Sequence, residues 1–104
     1  MLMCTTETVT GREIAETLGV ARGNVIRAKH VGTDIIAGLR NIVGGEVTEY
    51  TKLMAEAREQ ALDRMKADAQ AQGADAVVGV RFATSMITQG AAEILAFGTA
   101  VKLR

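Results

Sequence analysis

The sequence predicts an α+β domain: a mostly antiparallel sheet with two helices on one side, in the order β-β-α-α-β-β. Three observations carry that expectation. Apolar residues recur at helical spacing through the middle of the chain, and the period changes to two after Gly73. A short β-tolerant stretch and a longer one with alternating character precede the helical region. The 104 residues contain no proline, repeat or low-complexity block to divide them, so one domain spans 1–104.

The opening "MLMCTT" reads as a short strand. After Gly11, "REIAETLGVARGNVIRAKH" reads as a long, bent strand, with Ile14, Glu16, Leu18, Val20 and Arg22 on one face. Gly19 and Gly23 interrupt it, and glycine inside a strand marks a bulge, a bend or a close backbone approach. Thr33-Asp34 can cap a helix carrying Ile35, Ile36, Leu39, Ile42 and Val43 at i, i+1, i+4, i+7 and i+8. Gly44-Gly45 then suits a corner between two helices, with Gly44 in the left-handed conformation of a helix end.

The second helix is expected over Glu46–Gln72. Val47, Tyr50, Met54, Ala57, Ala61 and Met65 form its apolar stripe, and Ala55, Leu62 and Ala69 a second line beside it. Glu46 and Glu49 complement the positive end of the helix dipole, and Gly73 stands at the C-terminal cap. Beyond it, "ADAVVGVRFAT" puts Ala76, Val78, Val80 and Phe82 on one face. "EILAFGTAVKLR" does the same for Leu95, Phe97, Thr99, Val101 and Leu103, with "SMITQGAA" as the hairpin connection. Asp75, directly after the cap, reads as a turn residue that ties down backbone amides.

Composition narrows function. The hydrophobic fraction of 48% excludes a disordered chain. Twelve cationic side chains balance twelve anionic ones, which argues against nucleic acid, where clustered cations are rewarded by counterion release. With three aromatic residues, the core relies on small aliphatics, and such a small domain gains stability by associating with copies of itself. No apolar run is long enough to cross a bilayer, and the N-terminus lacks a signal-peptide pattern. A cytoplasmic protein with no membrane partner is expected.

These residues resemble the YbjQ-like family of small bacterial and archaeal proteins. The resemblance lies in Thr5-Thr6, "LGVARGNVI", "NIVGGE", Tyr50, Ala57-Arg58, "GADAVVGVRF" and "GTAVK", spread from residue 5 to residue 102. "IVGG" before the long helix and "GADAVVG" after it are specific as a pair. The resemblance implies a compact α+β fold that assembles into ring-like homopentamers, and a family label of "putative heavy-metal-binding". The label names no ligands that transfer position by position. Ala21 stands where family members carry a bulkier aliphatic, a departure that touches local packing.

The chemistry-bearing residues are few. Cys4 and His30 are the candidate metal ligands, with Met1 and Met3 adding soft sulfur suited to Cu(I). A closed zinc site needs four donors, so one cysteine and one histidine suffice only where copies of the chain meet. Met1 as the initiator and Met3 as a strand hydrophobe is the favoured reading, because softness without a set of ligands specifies little. A Cys4–His30 nucleophile and base has no supporting local motif. Ser85, the only serine, lies outside any G-x-S-x-G elbow. Gly44-Gly45 lacks the Lys-Ser/Thr of a phosphate loop, and Glu46 puts a negative charge where phosphate would sit. The carboxylates of the long helix, interleaved with Lys52, Arg58, Arg64 and Lys66, read as a solvated face, and Arg40 and Arg58 as ion-pairing or anion-binding groups. The expectation is a non-enzymatic homo-oligomeric structural or binding module, no cofactor being assigned. The alternative is a heavy-metal-binding protein with sites at subunit interfaces.

Overall fold

A computed structural model describes residues 1–28, 48–88 and 90–104. Strands β1 (Leu2–Met3) and β2 (Ile14–Ala28) precede helix α1 (Thr48–Ala71), and β3 (Ala76–Thr88) and β4 (Ala91–Leu103) follow it. The four strands form one sheet in the order β1-β3-β4-β2. β4 pairs antiparallel with both β2 and β3, whereas β1 pairs parallel with β3 through Leu2/Ala76 and Met3/Val77.

Two parts of the expected architecture are thereby corrected. The sheet is mixed, and β-β-α-α-β-β is replaced, among the described residues, by β-β-α-β-β with one helix. The parallel pair arises because a long connection brings the chain from β1 back to β3 in the same direction. A tight turn cannot do that. The helix read at Ile35–Val43, the Gly44-Gly45 corner, Arg40 and His30 lie outside the described residues.

α1 lies mainly over β2 and β4. Its stripe of Ala57, Ala61, Met65 and Ala69 is fully buried against Ala21, Val25, Val77, Ile94, Ala96 and Ala100. Small side chains on both surfaces bring the backbones together. At Gly23 the approach is closest: a Cβ there would sit 2.3 Å from the Met65 nitrogen and 2.5 Å from the Ala61 oxygen. The helix ends at Gly73 (φ 81°), where Ala74 N–H reaches the Ala69 carbonyl and Gly73 N–H that of Gln70. That is the Schellman arrangement, and it fulfils the cap read at Gly73. Asp75 then accepts the Leu103 N–H at 2.9 Å, the backbone-tying role expected of it.

The outer edge of β2 is closed by the helix itself. Gln72 Nε2 donates to the Val20 carbonyl (2.9 Å), Asp68 Oδ2 accepts the Arg22 N–H (3.0 Å), and Arg64 Nη1 donates to the Asn24 carbonyl (2.7 Å). Gln60 continues the row, accepting from Arg27 Nη2 at 2.8 Å. Four helical residues rise about 6.0 Å and two strand residues about 6.6–6.8 Å. Side chains at 72, 68 and 64 therefore keep step with 20, 22 and 24. The helix supplies hydrogen bonds where a neighbouring strand is missing, one of the ways proteins protect a sheet edge.

Bulges change which residues share a face. A register shift between Thr17 and Gly19 inserts Leu18, which packs toward the helix, while Val20 pairs with Thr99 on the opposite face. In β3, a shift at Gly79 (φ 63°) splits the expected Ala76-Val78-Val80-Phe82 face. Ala76 and Val78 pack with Val101 away from the helix, and Val80 joins the helix-side core. The hairpin connection is shorter than expected, because Ser85–Thr88 continue β3 and Ala91 already begins β4.

Candidate functional site

Among the described residues, the sheet face opposite α1 is covered only at one end. There the N-terminal segment crosses β3: Cys4 N–H donates to the Val77 carbonyl, Val80 N–H to that of Cys4, and Gly79 N–H to that of Thr6. The crossing uses the β3 bulge, since a left-handed Gly79 turns successive N–H groups outward. Cys4, Val9, Ile14 and Leu103 pack around Ala76, Val78 and Val101 to form a second, smaller core.

Cys4 is a free, half-buried thiol. The Thr6 hydroxyl lies 3.4 Å from its sulfur and donates more closely, at 2.7 Å, to the Thr8 carbonyl. Met3 packs against the helix-side core while Cys4 packs against the second core. Neighbouring strand residues point to opposite faces, so the two sulfurs of one chain do not converge on one ion. Among the described residues no three His, Cys, Asp or Glu side chains come together.

Beside the crossing, a depression of about 440 Å³ opens on the uncovered face. Its lining is mixed: Glu7, Thr17, Arg81 and Thr99 stand beside Ile14, while the nearly buried Val78 and Val101 offer it little surface. Arg81 Nη1 donates to the Thr5 carbonyl at 2.9 Å and to the Val80 carbonyl at 2.8 Å, which fixes the guanidinium. Sequence reasoning passed over Arg81 and Glu7. The signal available was Gly79 inside "VVGVRF", where a bulge re-aims the side chain that follows.

Further along the uncovered face, antiparallel partners share a side. Arg22, Phe97 and Arg81 form one row across three strands, and Asn24, Leu95 and Ala83 the next. Val20 (63% exposed) and Ile26 (58%) stand on this face. On the helix side of β3, Thr84 and Met86 (79% exposed) line a groove of about 300 Å³ together with Met54, Arg58 and Ile94. The ion pair among the described residues joins Arg104 to Glu13 at 3.9 Å, both exposed. Arg64 and Asp68, four residues apart on α1, do not pair with each other but turn to the β2 backbone.

Among the described residues, one helix packed on a mixed four-stranded sheet defines a two-layer α+β domain. The chain belongs to the YbjQ family: the family's profile, described as "putative heavy-metal-binding", matches residues 1–104. A UPF0145 protein of Methanosarcina acetivorans is 62% identical over 103 residues, covering 99% of this chain and 97% of that one. A UPF0145 protein of Photobacterium profundum is 63% identical over 103 residues, covering 99% and 100%. Among solved structures, a DUF74-family protein of unknown function from Pediococcus pentosaceus superposes with a TM-score of 0.63 at 16% identity, covering 100% of this chain and 98% of that one. At that identity the likeness shows the fold alone. Among the described residues, no helix is long and apolar enough to cross a membrane.

Proposed function

We propose that the chain is a non-enzymatic, self-assembling structural or binding module that works as a homopentamer in the cytoplasm. The observation that carries this reading is the apolar surface left open on the strands. Val20, Ile26, Phe82, Met86 and Ile87 are each between 43% and 79% exposed. They sit on a chain whose radius of gyration is 17.1 Å, where a compact domain of this length has about 13 Å. Exposed apolar surface of that kind marks an interaction site, and zero net charge leaves association unopposed. Self-association also has charge to direct it: Arg22 and Arg81 stand on the sheet face away from α1, and Glu56, Glu59 and Asp63 outnumber Arg58 on the exposed face of α1. A sheet face meeting a helix face is a head-to-tail contact, the type that closes into rings. The balanced charge gives nucleic acid no part in this reading, and a membrane has none either. A single free thiol suits a reducing compartment. Light scattering on the purified chain tests the proposal, and an 11.0 kDa species at micromolar concentration would overturn it.

The family's description favours a second reading, heavy-metal binding at sites built where subunits meet. Among the described residues no other donor converges on Cys4, and in this reading the ligand set is assembled from several copies of the chain. Elemental analysis after incubation with zinc or copper should then find metal bound to the assembly, with uptake abolished by Cys4→Ser or His30→Ala. Uptake unchanged in both variants clears these residues.

A further inference from the structure

We draw no further inference here: the strongest candidate, the outer edge of β3 from Arg81 to Thr88, is exposed along its length and has no strand partner on that side among the described residues, but nothing in the structure shows what covers it.

Discussion

At Gly23 the backbone of α1 rests on the backbone of β2, and the absence of a side chain is what allows it. A methyl group there meets Met65 N, Ala61 O and the Arg64 Cβ within 2.6 Å, all of them on the helix and none able to swing aside. Gly79 presents the opposite case: nothing lies within 4 Å of its would-be Cβ, but its φ of 63° is left-handed. The two positions therefore respond differently. Gly23→Ala should destabilise the fold by about 1–3 kcal/mol through overpacking, and Gly23→Asn by more. Gly79→Ala should lose about 1–2 kcal/mol to backbone strain, and Gly79→Asn less, since asparagine tolerates that region. Chemical-denaturation midpoints give the order. Asn milder than Ala at both sites would show that Gly23 is not a steric contact. Glycine in the strand at 23 could be recognised from the sequence as a close approach, but the partner could not, because the helix that touches it lies some forty residues away.

For the elements, the row of Gln60, Arg64, Asp68 and Gln72 is the feature that sequence spacing misdirects. Arg64 and Asp68 lie four apart and read as an ion pair across one helical turn. In the fold each finds a backbone group of β2 that would otherwise lack a partner, and a hydrogen bond to a charged group outweighs an exposed i,i+4 pair. Asp68→Ala should therefore expose the Arg22 amide to exchange with solvent, accelerating it about tenfold for a bond of ~1.4 kcal/mol. Hydrogen exchange followed by NMR measures it, and an unchanged Arg22 rate would mean the edge is closed by something else. The stripe Met54-Ala57-Ala61-Met65, the cap at Gly73 and the alternation of β4 were all legible, because each follows from a local period. The faces of β2 and β3 were legible only in part. A bulge adds one residue and reverses every later side chain, and its position depends on the N-terminal segment that crosses there. For the same reason Cys4 could be singled out by residue type, whereas Arg81 could not: its guanidinium is set by the Gly79 bulge and the Thr5 carbonyl.

Across the whole molecule, β2, β3 and β4 run 13–15 residues, and among the described residues one helix covers part of one face. Among the described residues two apolar surfaces are exposed, the Val20–Ile26 face and the groove beside Met86. Ile26→Asp places a charge on the first without touching the helix-side core, since Ile26 pairs with Glu93 on the far side. That substitution should leave the monomer folded by circular dichroism and shift the assembly toward smaller species. A monomer that unfolds instead would show that Ile26 belongs to the chain's own core. The most direct measurement is size-exclusion chromatography coupled to light scattering on the unmodified chain at micromolar concentration. Five copies of the 11.0 kDa chain give about 55 kDa, and a single species of that mass is the predicted result. A uniform 11.0 kDa species would contradict the account, because the open apolar strands would then face water with no partner.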